Sequence, residues 1–433
     1  MPSRVWKAWP LSPPAWPVAA AGDRSAGRTR KAALNLALAV GMLVVACLGL
    51  EAALAMARIN GRSRVVFDPE KGVAFAPGAY YVERKEGFSE GHFNSHGFRD
   101  YERTWEKPPN TYRILVLGDS YVEAFQVPLE RAFPALLEVR LNAASRARRF
   151  EVLAMGQSGF GTADEYMRYL DYGVRYCPDM VILAFLTGND VSDNSKVLHR
   201  EHIGFYFRLD EHGELVLDRS ALDAYAGQTT LTDRFFRAVK RHSYLASLVS
   251  ERAYLLREQM REERYKQAHA TAGAPEGGLD EFSDLNVYRP DPTPRWREAW
   301  EITEKLILKF EHEVESRGGS FVLVSLSNAE QVHPELQREL VQKYGLPFDF
   351  DLPDRRLRRL AEQHGIQYLD LMPALRDYHR RTGIYVHGFG SVVTGHWNET
   401  GHRQAADEIF SFLRSRGLVP LDDRPVEQAR DDR

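Results

Sequence analysis

A nucleophile, a base and two polarising donors stand far apart in this chain, each at a place from which a side chain can be delivered to a substrate. Ser120 closes the run Thr111-Tyr112-Arg113-Ile114-Leu115-Val116-Leu117-Gly118-Asp119-Ser120. A short β-branched, leucine-rich stretch ending in Gly-Asp-Ser reads as a buried strand that presents a serine at its carboxyl end. Ligands bind at that end of the strands in open α/β sheets. The same tripeptide is also a common turn, so the serine gains weight only from the motifs downstream of it. A second run, Phe150 to Met155, passes into Gly156-Gln157-Ser158-Gly159-Phe160-Gly161-Thr162, where three glycines in six residues let backbone N–H groups face an anion. It is not a dinucleotide fingerprint, because the acidic residue expected about 20 positions on is missing. A third run, Met180 to Phe185, ends in Leu186-Thr187-Gly188-Asn189-Asp190.

A serine hydroxyl, a backbone N–H at Gly159 and the amide of Asn189 are the parts needed to attack an ester carbonyl and hold the resulting oxyanion. Asn189 alone would read as a turn-capping residue. Three such groups at three successive strand ends point to a site. The missing base is found in Thr394-Gly395-His396-Trp397-Asn398-Glu399-Thr400-Gly401-His402. His396, on the loop before the last helix, is placed to activate Ser120. His402, inside the helix start, reads as structural.

The elements that must position these residues are set by periodicity. Apolar stripes at Phe133, Leu137 and Leu141, and from Ala163 to about Tyr176, predict helices between the strands, a βαβαβ pattern that implies a parallel sheet. Residues 191 to 320 read as an insertion: a hairpin from Phe205–Leu209 and Glu214–Leu217, and a helix from Thr232 to about Gln267 with no strict heptad. Next comes a mobile surface segment or flap from Thr271 to Pro294. A helix then carries Trp296, Trp300, Ile307, Phe310 and Val314 as core contacts. Further strands at Phe321–Leu326 and Ile366–Asp370 complete a five-stranded, flavodoxin-like order 2-1-3-4-5 with helices on both faces. The last helix buries Ala405, Ile409, Phe412 and Leu413 and stops at Gly417.

The order Gly118-Asp119-Ser120, Gly159, Gly188-Asn189-Asp190 and a late His396 resembles the SGNH (GDSL-type) hydrolase superfamily over about Asn94 to Leu418. The resemblance implies a three-layer α/β/α sandwich and a serine esterase working through an acyl-enzyme. Ser120 would be nucleophile and oxyanion donor, Gly159 and Asn189 the other donors, and His396 the general base. The family usually places an Asp two or three residues before the His. Here those positions are Thr394 and Val393. The superfamily includes members with a Ser-His pair, so Thr394 or a backbone carbonyl is expected to accept the Nδ1 hydrogen bond, with Asp370 and Asp354 as rival acids.

Length, 433 residues, allows a large core, and a net charge of −3 calls for no nucleic-acid partner. Only two cysteines are present, Cys47 in an apolar segment and Cys177, which leaves the remainder without an internal disulfide. No cofactor motif and no metal cluster is expected, since the histidines are scattered and no cysteine pair exists. Residues 1–31 read as a disordered tail and 32–57 as a transmembrane anchor, Ala32 to Leu50 alone being long enough to cross the hydrocarbon core. Arg24, Arg28, Arg30 and Lys31 favour a cytoplasmic N-terminus, although Arg58, Arg62 and Arg64 weaken the asymmetry. A cleaved signal peptide or lipidation at Cys47 are the other readings of that segment. Residues 58–110 form a lead-in, in which Phe93-Asn94-Ser95-His96-Gly97-Phe98-Arg99 is expected to pack beneath the catalytic loops, and 419–433 a disordered tail. The Asn94–Arg99 stretch and the single anchor resemble membrane-bound bacterial members of the superfamily. The expected function is hydrolysis of an acyl ester, such as acetyl, on an extracytoplasmic glycan or lipid. Alternatives are acyl transfer to a sugar hydroxyl at the same site, and a catalytically silent glycan-binding module of the envelope.

Overall fold

The computed structural model describes residues 23–57, 64–199, 202–271 and 278–421. The chain divides into two units, Met1–Ala57 and Arg58–Arg433. The first holds helix α1 (Asp23–Ala57), of which Arg28–Ala57 is long and apolar enough to cross a membrane, a property that a signal sequence shares. The tails before residue 23 and after 421 lie outside the described residues, as do Arg58 and Arg62.

The second unit opens with two small antiparallel pairs, β1 (Val65–Asp68) with β2 (Gly72–Phe75) and β3 (Tyr80–Glu83) with β4 (Ser89–His92). The main sheet comes next. Strand β5 (Thr111–Gly118) leads through the short helix α2 (Ser120–Glu123) and helix α3 (Phe133–Ala144) to β6 (Arg149–Gly156). Helix α4 (Thr162–Asp171) then leads to β7 (Met180–Leu186) and the single turn α5 (Asp190–Asp193). The chain makes an antiparallel pair, β8 (Tyr206–Leu209) with β9 (Leu215–Asp218), and helices α6 (Ser220–Gln228), α7 (Leu231–His242), α8 (Tyr244–Thr271) and α9 (Pro294–Ser316). It returns to the sheet as β10 (Ser320–Leu326), α10 (Ala329–Val332), α11 (Pro334–Tyr344), α12 (Leu352–His364) and β11 (Gln367–Asp370). Helices α13 (Met372–Thr382) and α14 (Glu399–Ser415) finish the unit.

The five strands of the main sheet are parallel in the order β11-β10-β7-β5-β6, the expected 2-1-3-4-5. Alternation along β5 shows why the sheet needs covering on both faces: Ile114 and Val116 enter one apolar cluster, Leu115 and Leu117 the other, all at most 1% exposed. Helices α4, α9 and α12 supply the second cluster, through Tyr166, Trp296, Trp300, Phe310 and Leu357. Helices α3 and α14 supply the first, through Phe133, Leu137, Leu141, Ala405, Ile409 and Leu413. The result is a three-layer α/β/α sandwich.

Three expectations are corrected. The long helix from Thr232 breaks at Ser243, which adopts an extended backbone and accepts the Ala246 N–H to begin α8. The stretch 271–294 is not simply a flap. Residues 272–277 lie outside the described residues, but Val287 and Tyr288 are buried, with Tyr288 5.1 Å from the Phe350 ring, because an apolar pair at this point finds a place over α12. The insertion over 191–320 is correspondingly shorter, since α9 is one of the helices that cover the sheet.

Candidate active site

Strand register brings the expected groups to one edge. Gly118 stands beside Gly156 on one side and Ala184 on the other, and Leu186 beside Leu326. The residues just beyond, Ser120, Ser158, Asn189 and Asn328, therefore emerge together at the carboxyl ends of neighbouring strands. Asp119 is the N-cap of α2: its carboxylate accepts the Tyr121 N–H at 2.9 Å, which turns the chain and exposes Ser120 at the first helical position. Gly188 packs closely, since a Cβ there would lie 1.6 Å from the Asn328 amide nitrogen and that side chain would have to move.

Ser120 Oγ lies 2.9 Å from His396 Nε2, and His396 Nδ1 lies 2.8 Å from an oxygen of Glu86. The Glu86 carboxylate can only accept, so Nδ1 carries the proton, Nε2 presents its lone pair, and the serine hydroxyl donates to it. The competing contact from Ser120 Oγ to Asp119 is longer, 3.3 Å. The same Glu86 oxygen also accepts the His396 backbone N–H at 3.1 Å, so it holds both the ring and its backbone. Burial disfavours the imidazolium, but the Glu86 hydrogen bond and charge outweigh it and the His396 pKa is raised above its usual 6.5. Glu86 is held below its usual value, chiefly by the hydrogen bond from His396.

Glu86 belongs to the turn between β3 and β4, in the segment expected only to lead into the domain. Phe88 N–H donates to the Gln126 carbonyl at 3.2 Å, tying that turn to the chain just after α2. Beneath it, the buried Arg99 donates to the carbonyls of Glu123 at 2.9 Å and Val127 at 2.6 Å, and to the Tyr81 hydroxyl at 3.0 Å. Gly395 makes the approach of Glu86 feasible. Its φ is +94°, and a Cβ would stand 2.9 Å from the Glu86 carboxylate.

The candidates named to orient the imidazole are not those that do so. Thr394 is exposed. Asp370 accepts from Arg358 and from the Met372 N–H, and Asp354 accepts from Ser325 and Gln331, both on the far strands β10 and β11 and their helices. Carboxylates already engaged there have no reach to His396. His402 is fully buried, and its Nδ1 accepts the Phe133 N–H at 3.4 Å, a packing role as expected.

No protein-family model matches the chain, and none of the curated proteins does. Solved structures of similar fold include a catalytic mutant of an acetylxylan esterase from Geobacillus stearothermophilus, 14% identical over 72% of this chain and 97% of that one, TM-score 0.36. A GDSL-like lipase from Bacteroides thetaiotaomicron is 11% identical over 70% of this chain and 88% of that one, TM-score 0.32. A two-domain esterase active on acetylated mannans is 11% identical over 73% of this chain and 52% of that one, TM-score 0.36.

The cleft above Ser120 has a volume of about 320 Å³ and is lined by Ser120, Tyr121, Leu186, Gly188, Asn189, Asp284, Asn328, Ala329, Glu330, Gly395 and His396. Asn189 enters it with its orientation set: the amide nitrogen donates to Asp193 at 2.9 Å, leaving a second N–H. Gly159, with φ +78°, is on the neighbouring loop but does not line the cleft. That loop is held by Glu123, which accepts the Ser158 N–H at 2.6 Å and whose pKa burial pushes up to about 7. Asp284 and Glu330 put acidic groups on the cleft wall, and burial raises the pKa of both.

Proposed function

We propose that the protein is a serine esterase. Ser120 attacks the ester carbonyl, His396 Nε2 takes its proton and later returns it to the leaving alcohol, and Glu86 stabilises the imidazolium that forms between these steps. The backbone N–H of Ser120 and the second amide N–H of Asn189 are the oxyanion donors that the cleft presents, the Gly159 N–H standing on the loop beside it, and water then cleaves the acyl-enzyme. The observation that carries this reading is the relay Ser120–His396–Glu86, with contacts of 2.9 and 2.8 Å. A small cleft with polar side chains on its wall suits a short acyl group such as acetyl on a hydroxyl-rich leaving group, and glycan esters fit it better than long-chain lipids.

A second reading shares the acyl-enzyme but passes the acyl group to a sugar hydroxyl. Asp284, Glu330 and Asn328 on the cleft wall favour it, as they are acceptors and donors able to hold an acceptor sugar. The reading as a silent binding module would draw support from the missing Asp before His396, and Glu86 beside that ring removes the support. The test is labelling of the purified chain with a fluorophosphonate, together with hydrolysis of a short acetyl ester. Wild type should react in both and Ser120→Ala in neither; labelling that survives in Ser120→Ala would move the nucleophile elsewhere. Product analysis with an oligosaccharide present separates water from sugar as acceptor.

A further inference from the structure

Histidines scattered in sequence converge on the face of the molecule formed by α11 and α13. His333 caps the start of α11, Glu335 stands in its first turn, and His379 lies in the last turn of α13. One ligand atom from each lies within 4.8 Å of the others. His333 Nδ1 and Glu335 Oε1 are buried with no hydrogen-bond partner, and His379 Nε2 faces Glu335 Oε1 at 3.8 Å. A buried imidazole nitrogen left unpaired is costly unless something fills the space beside it.

The tautomers can be assigned from the outside inward. The Ser327 carbonyl can only accept, so His387 Nε2, 2.8 Å away, donates to it. The His387 ring is buried among other imidazoles and stays neutral, so its Nδ1 is a lone pair. That lone pair lies 3.2 Å from His333 Nε2, which must donate. The remaining nitrogen of His333, the orphaned Nδ1, is then a lone pair too. On the other side His379 Nδ1 donates to the Ile384 carbonyl at 3.0 Å, which leaves Nε2 facing Glu335. Two imidazole nitrogens and a carboxylate therefore converge, each imidazole braced on its far nitrogen as metal-bound histidines are.

We propose that His333, Glu335 and His379 bind a divalent transition metal, zinc by donor chemistry, and that the ion braces the loop carrying His396. Two imidazoles and one carboxylate suit zinc, with the fourth position open to water. A tetrahedral ion with bonds near 2.1 Å sets its donors about 3.4 Å apart, so a small rotation of the partly exposed Glu335 closes the set. The link to the loop is short: His387, which holds His333, forms a β-bridge with Trp397, and Gly388 N–H donates to the His396 carbonyl at 2.9 Å. This proposal departs from the expectation of no metal cluster, which was drawn from linear spacing alone.

The experiment uses the full chain, purified without a histidine tag, stripped with chelator and titrated with zinc or cobalt(II) at neutral pH. Metal content by mass spectrometry, the cobalt ligand-field spectrum and the thermal midpoint are measured for wild type, Glu335→Gln and His379→Asn. Wild type should take up one equivalent, show the cobalt band and gain thermal stability with zinc. Both variants should bind at least tenfold more weakly and lose the zinc-dependent gain. A wild type that retains well under one equivalent, or variants that bind and respond as wild type does, overturns the proposal.

Discussion

Glu86 is the side chain on which the proposed chemistry turns, because an imidazole without a carboxylate behind it is both free to flip and less able to carry a proton. Its removal as Glu86→Gln should lower kcat by between about 10² and 10⁴ with little change in KM, the lower figure reflecting the partial exposure of this carboxylate. The pH profile gives a signature that a merely structural role would not. His396 must be neutral to act as base, and Glu86 raises its pKa, so wild-type activity should fall as pH drops through a value above 6.5. In Glu86→Gln that acid limb should move to lower pH. A limb that stays in place would remove Glu86 from the relay. Thr394→Asp, by contrast, should bring no gain, since the Nδ1 proton is already taken by Glu86. Gly395→Ala tests the same contact from the other side: a Cβ at a φ of +94° is strained and meets the carboxylate, so activity should fall at least tenfold with a loss of about 1–2 kcal/mol in stability measured by urea unfolding.

Elements explain what could be read in the chain and what could not. The sheet and its order were legible from apolar runs, and Ser120 and Asn189 follow two of those runs close behind Gly118 and Gly188, while His396 stands directly after Gly395; Gly159 was expected among the donors but does not line the cleft. Glu86 sends no such signal. It lies in a charged turn, Glu83-Arg84-Lys85-Glu86-Gly87, between two four-residue strands, and meets His396 across 310 positions. Gly395 was the one local hint, a glycine directly before the base. The His333 cluster was hidden for the same reason, His379 joining His333 and Glu335 from a different helix. The first turns of α4 and α5 also bury acids. Both carboxylate oxygens of Glu165 and one of Asp190 are buried without partners. Burial, then the neighbouring Asp119, Asp164 and Asp193, raises the Glu165 pKa well above 4.5. The folded state therefore holds a proton that the unfolded chain releases near 4.5. The stability tied to that proton is full below about pH 4.5 and is lost as pH rises, by about 1.4 kcal/mol per unit until the folded pKa is reached. Glu165→Gln cannot titrate, so its stability relative to wild type should grow from about pH 5 to about pH 7 in urea unfolding. Parallel curves for the two proteins would mean Glu165 is ionised in the fold.

At the scale of the whole molecule the question is where this site works. Helix α1 exposes Leu36, Met42 and Val45 at 66, 68 and 70%, a surface that water does not tolerate over the 30 residues of Arg28–Ala57. At about 1.5 Å per residue such a helix spans more than the roughly 30 Å of a hydrocarbon core. Four basic residues, Arg24, Arg28, Arg30 and Lys31, precede the apolar run, against three, Arg58, Arg62 and Arg64, after it. The flanking charge thus tilts, by a small margin, toward a cytoplasmic N-terminus and a second unit on the far side. The proposed substrate depends on that orientation, since an ester on an envelope glycan is reachable only from there. An alkaline phosphatase fused after residue 70 should therefore be active, while a β-galactosidase fused at the same point should be silent, and the fusion should remain in the membrane fraction with residues before Ala57 still attached. The reverse pattern would put Ser120 in the cytoplasm and exclude an envelope glycan as its substrate. A fusion found free of the membrane, beginning after the apolar run, would instead make α1 a signal sequence that releases the enzyme.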